Sequence, residues 1–566
     1  MGISCETNFT KRQMDLNNAT VARLDAGYDE EAGLLARNIP SRGGIVHDVR
    51  SSAYYALGLL ARGDVGDAER AEKIINKVLD QQLLFPGEVF HATFKRAPQE
   101  PTPPVGNFPW KRISNDARHF FDVYMEKTTN AFLQALVKDG MSQEEVLAME
   151  QKLENAHTSH FPEVWRTYDP NWREFIGSTF AIVLDRYENI LSDATVKRLD
   201  YAMLETVNAS IERRLADMYP MNTNVELMHI ILCDYCGYRF DDRRIKDHTA
   251  FYAADIYRRY MEFHTVAEFN SPTYYGVDLC ALAQWRRCGK SELVREIGGL
   301  LEAGLWEDLS LFYNPHLRSL AGPFTRNHEM NPGKHTALFA LMHLGLDRHE
   351  TEAVKTTEDV HNITMALCGI RIPPHVQESL VCFTGERQIT KYFRELIERG
   401  DPEYNNPLCT ATAWIERDLM LGGLAGSKNV SGQIHPATTY WQAPKGTMSM
   451  RLLRREPGNQ FGKGNRTVHY DARAEKGKLD IDVYIDIERG MELFFQIDAN
   501  GNPVTPAMIG PGEWRLPGVI ITMDTNSGIP DVLVTEQGLE VVYLSKYENE
   551  KVRKLSFRMK FELVGY

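Results

Sequence analysis

No stretch of this sequence reaches the roughly twenty consecutive apolar residues that a bilayer-spanning helix needs. Nor does the start, MGISCETNFTKRQMDLNN, place a basic segment ahead of an apolar run as a secretory leader does. The expectation is a soluble, cytoplasmic protein. Cysteine is sparse, with 8 among 566 residues, which excludes a disulfide-stapled scaffold and suits reduced thiols. Cys233 and Cys236 lie close together, but a structural zinc site needs a second close pair of ligands, so both are expected to face the core. His435 and His469 read as isolated surface residues, and no metal or cofactor is expected. Positive charge is in deficit: 64 Lys and Arg against 77 Asp and Glu give a net charge of -13. Such a surface repels polyanions, so neither nucleic acid nor an anionic membrane is an expected partner. Low-complexity tracts and short-period repeats are also missing, which removes fibrous and disordered classes.

What is present is globular in character, at 43% hydrophobic and 25% charged residues. A chain of 566 residues exceeds what one core supports, so two domains are expected. From 45 to 404, apolar residues recur at three- and four-residue spacing in paired segments. DVRSSAYYALGLLARG precedes DAERAEKIINKVLDQQL, and WREFIGSTFAIVLDRYENIL precedes DATVKRLDYAMLETVNASIERRL. Several of these helices are apolar on more than one face, which calls for packing in layers. Successive antiparallel hairpins closing into a ring, an α/α toroid, meet that demand. From 405 to 566 the period shortens. TTYWQAPKGTMSMRLLRR, LDIDVYIDI and LSFRMKFELVGY alternate as half-buried strands do, with turn residues between them. The expected fold is α+β and multidomain: an N-terminal extension over 1–44, a helical toroid over 45–404 and an antiparallel β-sandwich over 405–566.

Chemistry concentrates between Glu268 and Asp278, where EFNSPTYYGVD sets Glu268, Asn270, Tyr274 and Tyr275 within one short stretch. Upstream, MNTNVELMHI supplies Asn222, Asn224 and His229. Downstream, RSLAGPFTRNHEMNPGKH supplies Arg318, Arg326, His328 and His335. Taking a proton from a carbon beside a carboxylate requires such a set: neutral donors for the developing enolate, a base, and an acid for the leaving oxygen. Tyrosine serves either proton-transfer role when cations or hydrogen bonds bring its pKa down from about 10. Plainer readings stand beside these. Ser-Pro-Thr is a turn signal, a Tyr-Tyr pair is a packing element, and Asn222 or Asn224 is a helix N-cap ahead of Val225, Met228, Ile231 and Leu232. The long linkers FPGEVFHATFKRAPQEPTPPVGNFPWKR and RTYDPNWREF offer His91, Trp110 and Trp172 as the lining of a cleft.

A helical ring followed by a sandwich, with Asn and His ahead of a Tyr and with Arg and His after it, resembles the toroid polysaccharide lyases of the heparinase II/III-like and alginate-lyase-like groups. The resemblance implies a carbon–oxygen lyase that acts by β-elimination on a uronate-containing saccharide. In that reading Asn222 or Asn224 neutralises the acid, and Tyr274 or Tyr275 is base and acid. His229 or His328 assists, Arg326 holds a carboxylate bidentately, and Glu268 alternatively orients a histidine or an arginine. Asn270, Arg318, His335, Trp110, Trp172 and His91 complete the substrate contacts. The sequence departs from the pattern at His229, which follows Asn224 by five positions rather than adjoining it, and in lacking the export signal of most relatives. Those departures keep open an intracellular isomerase, dehydratase or cyclase acting on a small molecule of specialised metabolism. A non-catalytic carbohydrate-binding protein is the third reading.

Overall fold

A computed structural model describes residues 9–39, 44–103, 105, 128–160, 168–216, 222–328, 330, 342, 344–346, 360–396, 406–429, 433–455, 468–485, 491–545 and 553–565. Helix α1 (Lys11–Asp25) opens with a capping box in which Thr10 and Gln13 satisfy each other's backbone N–H groups. A small antiparallel sheet follows, β1 (Tyr28–Asp29), β2 (Leu34–Ile39) and β3 (Gly44–Asp48). Then come α2 (Val49–Arg62) and α3 (Asp67–Leu79), α4 (Gln143–His160), α5 (Trp172–Tyr187) and α6 (Asp193–Ala216). Two more pairs, α7 (Thr223–Arg239) with α8 (Arg243–Phe263) and α9 (Tyr275–Cys288) with α10 (Glu292–Phe312), lead to the short hairpin β4 (Tyr313–Asn314) and β5 (Ser319–Leu320). The helical part ends with α11 (Asn362–Cys368) and α12 (Pro374–Val381).

The first helix of each pair packs on the first helix of the next: α2 on α5, α5 on α7, α7 on α9, and α9 on α11. Both α11 and α1 return to α2, and the ring is closed. The second helices, α3, α6, α8 and α10, pack behind their partners. Burial explains the division of labour. Residues 172–184 of α5 and 223–237 of α7 are buried without a break, as an inner helix requires. In α8 only Ile245, Thr249, Ala253, Ile256 and Tyr260 are buried, one stripe facing inward. Polar groups inside the ring bond across helices, with Trp285 Nε1 donating to Leu227 O at 2.7 Å and Gln284 Nε2 to Ser178 O at 2.9 Å. Because each pair is a hairpin, the inner helices run parallel, and their N-termini gather at one end of the ring.

The remaining strands are β6 (Arg387–Arg394), β7 (Leu408–Ile415), β8 (Leu419–Ala425), β9 (Ala437–Ala443), β10 (Gly446–Arg455), β11 (Val468–Glu475), β12 (Lys478–Ile485), β13 (Met491–Asp498), β14 (Glu513–Leu516), β15 (Val519–Thr525), β16 (Asp531–Val534), β17 (Gly538–Ser545) and β18 (Arg553–Leu563). They form an eight-stranded antiparallel sheet, ordered β16-β17-β13-β10-β9-β8-β7-β6, and a five-stranded one, ordered β11-β12-β18-β15-β14. Trp441, Phe495, Trp514 and Phe557 fill the space between them. The β6 to β9 end of the larger sheet is buried on its other face too, where Phe393, Ala411, Ala413, Met420 and Tyr440 join the helical core. Phe269 stacks on Phe393 there, with ring centroids 4.3 Å apart and planes 8° from parallel. The sheet's first strand, β6, lies upstream of residue 405, and α1 within the first 44 residues takes part in closing the ring. Among the described residues no helix is long and apolar enough to cross a membrane.

Ring closure depends on a small residue. A Cβ at Gly58 of α2 would lie 2.6 Å from Val21 Cγ2 of α1 and 2.8 Å from Ile363 Cδ1 of α11. Gly58→Val therefore overpacks the seam and is expected to lower stability by about 1–3 kcal/mol. An earlier denaturant midpoint in far-ultraviolet circular dichroism checks this; an unchanged midpoint contradicts it.

Candidate active site

Four segments meet where the ring abuts the sheet: the start of α7, the turn ahead of α9, the stretch from Phe324 to His328, and the loop leading into β9. Glu268 is their common anchor. Its backbone N–H donates to Thr223 Oγ1 at 3.2 Å, and its Oε2 accepts the backbone N–H of Asn224 at 3.1 Å. A carboxylate at the first turn of a helix is electrostatically favoured. Glu268 Oε1 pairs with Arg326 Nη1 at 2.6 Å, the two side chains being 1% and 13% exposed. Arg326 also donates from Nη1 to Asn224 Oδ1 at 3.4 Å and from Nε to Gln433 Oε1 at 3.1 Å. These bonds commit Nε and Nη1, so the arrangement does not leave them for bidentate capture of a substrate carboxylate. The guanidinium carbon lies 4.0 Å from the centroid of the Tyr274 ring, a cation stacked on the phenol.

Tyr274 occupies the N-cap position of α9, half-buried, with its hydroxyl 3.0 Å from Nε2 of the exposed His328. Gln433 decides which atom holds the proton. Its Oε1 faces Arg326, which turns its NH2 toward His328 Nε2 at 3.3 Å. With an N–H and an O–H both aimed at it, Nε2 accepts, so the phenol donates and His328 is assigned as the Nδ1–H tautomer. Ser271 and Thr273 brace the turn. The Ser271 hydroxyl donates to Arg326 O and accepts the N–H of Tyr274 at 3.0 Å, while Thr273 Oγ1 donates to Asn327 Oδ1 at 2.7 Å.

The neighbouring tyrosine is placed differently. Tyr275 is fully buried; its hydroxyl donates to Asp308 Oδ2 at 3.1 Å and accepts the N–H of Asn270 at 2.7 Å. Burial first, then the Asp308 charge, holds this phenol well above its ordinary pKa. Asn270, at φ 48°, spends its amide on Ala321 O and Pro323 O at 2.7 and 3.0 Å and ties the turn down. Asn222 stands at the N-cap of α7 without making a side-chain cap bond, and its buried Nδ2 has no hydrogen-bond partner among the described residues. Asn224 presents Oδ1 to Arg326, which points its NH2 the other way.

Other expected residues stand apart from this group or outside it. His229, five positions after Asn224, is turned about 140° around α7. It contacts Ser210 of α6 and His248 of α8, not the Tyr274 group. Trp172 begins α5 at the same end of the ring, buried under the Arg50 guanidinium at 5.4 Å. His91 pairs with Glu205 at 3.1 Å, and Arg318 is exposed in the β4–β5 turn at φ 53°. Trp110 and His335 lie outside the described residues. His435 is buried rather than superficial. Its Nε2 sits 2.9 Å from Asn327 O and 3.0 Å from Arg451 Nη1, and burial pushes its pKa well below the usual value. His469 is half-buried on β11.

Sequence reasoning did not single out Gln433, Arg50 or Asp278. Nothing local marks Gln433, since its role depends on a contact 107 positions away in sequence. Asp278 had a signal, being an acid one turn beyond Tyr274 in the apolar first half of an inner helix. It is fully buried, and among the described residues neither carboxyl oxygen has a hydrogen-bond partner. Burial, and secondarily the charge of Glu268, raises its pKa well above the carboxylate range against the opposing pull of Arg326. The neutral form of Asp278 is thereby favoured, beside the ion pair of Glu268 with Arg326.

The fold and site define a helical toroid joined to a β-sandwich, with a Tyr–His–Arg group at their junction. Residues 14–158 and 148–367 match the family described as "Domain of unknown function (DUF8769)", and the chain belongs to that family. No curated protein matches it. Similar solved structures include chondroitin AC lyase of Streptomyces coelicolor A3 in complex with chondroitin sulphate, at 8% identity over 97% of this chain and 96% of that one, TM-score 0.36. Heparan sulfate lyase HepC from Pedobacter heparinus is 8% identical over 89% and 90%, TM-score 0.29. Endoglucanase CelQ from Clostridium thermocellum is 9% identical over 98% and 93%, TM-score 0.29. Likenesses this distant leave the chemistry to be read from the residues.

Asp278 makes stability depend on pH with a definite sign. A carboxyl whose folded pKa is raised adds no pH-dependent cost while both states are protonated, and destabilises the fold increasingly as pH rises past the unfolded value of about 3.9. Asp278→Asn removes that cost. The variant is expected to be more stable than the parent at pH 7 and indistinguishable from it near pH 3. Denaturant midpoints at the two pH values test this, and equal midpoints at pH 7 contradict it.

Proposed function

We propose that this chain is an enzyme of the carbon–oxygen lyase class, cleaving a uronate-containing saccharide by proton abstraction and β-elimination. The observation that carries the reading is the Tyr274 hydroxyl hydrogen-bonded to an accepting His328 with the Arg326 guanidinium stacked on the phenol. A base, a proton relay and a fixed positive charge are assembled on one half-buried side chain.

The substrate carboxylate is met by the amide N–H groups of Asn224 and Asn222. The parallel inner helices bring their N-termini, and Arg50 with them, to the same end of the ring, which makes that end favourable to an anion. Tyr274 passes its proton to His328 and takes the proton from the carbon beside the carboxylate. The electron pair forms the new carbon–carbon double bond, the glycosidic oxygen departs, and a proton returns to that oxygen from the Tyr274–His328 pair. Positive charge behind the ring and amide donors around the carboxylate stabilise the two places where negative charge builds up. Gln433 and Arg451 reach this group from the sheet side, so the β-module contributes to the site in this reading.

An ultraviolet assay against a panel of uronate-containing oligosaccharides tests the proposal through the conjugated double bond of the product. Tyr274→Phe is expected to lose about 10²–10⁴ in kcat, the usual worth of general acid–base catalysis. Tyr275→Phe is expected to retain activity, with any change confined to stability. Silence across the panel contradicts the saccharide reading in favour of a small-molecule isomerase, dehydratase or cyclase, and near-normal turnover in Tyr274→Phe contradicts the catalytic assignment.

A further inference from the structure

A second cluster of reactive side chains lies on the far side of α7. His229 Nε2 is 2.9 Å from His248 Nε2, and Cys233 Sγ is 3.8 Å from His229 Nε2. One ligand atom from each of the three residues falls within 4.8 Å of the others. His229 and Cys233 are one turn apart on α7 and fully buried, whereas His248 comes from α8 and is half-buried, so the cluster is reached from the α8 side.

The proton inventory shows what the histidine presents. Ser210 Oγ donates to Glu174 Oε1 at 2.6 Å, and Arg213 Nη1 lies 3.4 Å from Glu174 Oε2. The serine proton is thereby used, so Ser210 accepts from His229 Nδ1 at 2.8 Å. His229 is assigned as the Nδ1–H tautomer, and its Nε2 lone pair faces His248, while Cys233 Sγ lies beside the ring, 3.7 Å from Nδ1 and 3.8 Å from Nε2. A carboxylate acting through a hydroxyl to orient an imidazole is the outer support that metal-ligating histidines carry.

We propose that His229, Cys233 and His248 bind a zinc ion that fastens α7 to α8. Tetrahedral zinc, with bonds of about 2.0–2.1 Å to nitrogen and about 2.3 Å to sulfur, sets its ligand atoms about 3.3 Å apart for N and N and about 3.6 Å apart for N and S. The two separations at His229 come within about half an ångström of those values, and completing the set needs rotamer adjustments at both Cys233, whose sulfur lies equally near Nδ1, and the half-buried His248. Two imidazoles and a thiolate form a borderline-soft donor set suited to zinc rather than to magnesium or calcium. The thiolate and Glu174 offset the ion's charge against Arg213 and Arg214 nearby. Cys236 is turned toward Met203 O on α6 at 4.0 Å and takes no part. A fourth position is left for water or an external ligand. The proposal goes beyond the sequence reading, which expected no metal, and it is independent of the lyase reading.

The test uses the tag-free full-length chain, equilibrated with zinc, desalted, and assayed for bound metal, with cobalt(II) as a spectroscopic substitute. The parent and Cys236→Ser are expected to hold one zinc per chain, and His248→Ala and Cys233→Ser to lose affinity by about ten-fold or more. Cobalt is expected to give a thiolate charge-transfer band that disappears in Cys233→Ser. Zinc should also raise the Tm of the parent but not that of His248→Ala. His248 is half-buried, so that variant should fold even if Cys233→Ser does not, and circular dichroism verifies it. A parent chain that retains no zinc, or a His248→Ala variant that retains as much as the parent, overturns the proposal.

Discussion

The ion pair between Glu268 and Arg326 is the constraint on which the junction of ring and sheet depends. Glu268 has one oxygen on the first turn of α7 and the other on Arg326, so a buried anion joins a helix start to a segment 58 positions further along the chain. Removing either partner would leave the other's charge buried without compensation, at a cost of about 3–5 kcal/mol. Because the pair is nearly dry, it positions rather than recruits. Arg326 is fixed against the Tyr274 ring, Gln433 is fixed against Arg326, and His328 is left to accept the phenol proton. Asp278, adjacent, has its carboxyl pushed toward the neutral form by burial and by the Glu268 charge.

Fold and chemistry meet in the direction of the inner helices. Four hairpins of the same sense put Arg50, Trp172, Asn224 and Tyr274 at helix starts on one end of the ring. Side chains far apart in sequence then share a rim, and helix dipoles add to the arginines there. The opposite side of α7 is occupied by His229, Cys233 and His248. One helix in this account therefore offers amide donors from its first turn and metal ligands from its middle, on faces that do not meet.

Legibility in the sequence followed the strength of each local pattern. Helices such as α5 and α7 are apolar on every face, and their spacing announced both their presence and their burial. The start of α8 was not visible because RRIKDHTAF shows a single buried stripe among charges. Strand β6, RQITKYFR, buries only Ile389 and Phe393 and alternates them with exposed polar residues, a weak signal beside the strands of the sandwich core. Within the candidate site, EFNSPTYY drew attention to the turn ahead of α9 but left the two phenols equivalent. Their difference is tertiary: Tyr275 meets Asp308 of α10, and Tyr274 meets His328. His435 looked superficial for the same reason, since Asn327 and Arg451, which bury it, come from distant parts of the chain. The His229, Cys233 and His248 cluster escaped notice because its second histidine is on another helix, while Cys233 and Cys236 are both buried as their spacing suggested.

The most direct measurement is a crystal structure of the Tyr274→Phe variant with a saturated uronate oligosaccharide, which that variant should bind without consuming. The account predicts the uronate carboxylate within hydrogen-bond distance of the Asn224 amide, and the adjacent carbon facing the substituted ring at position 274 across from His328. A saccharide bound with its carboxylate away from Asn224, or with that carbon turned from position 274, would contradict it.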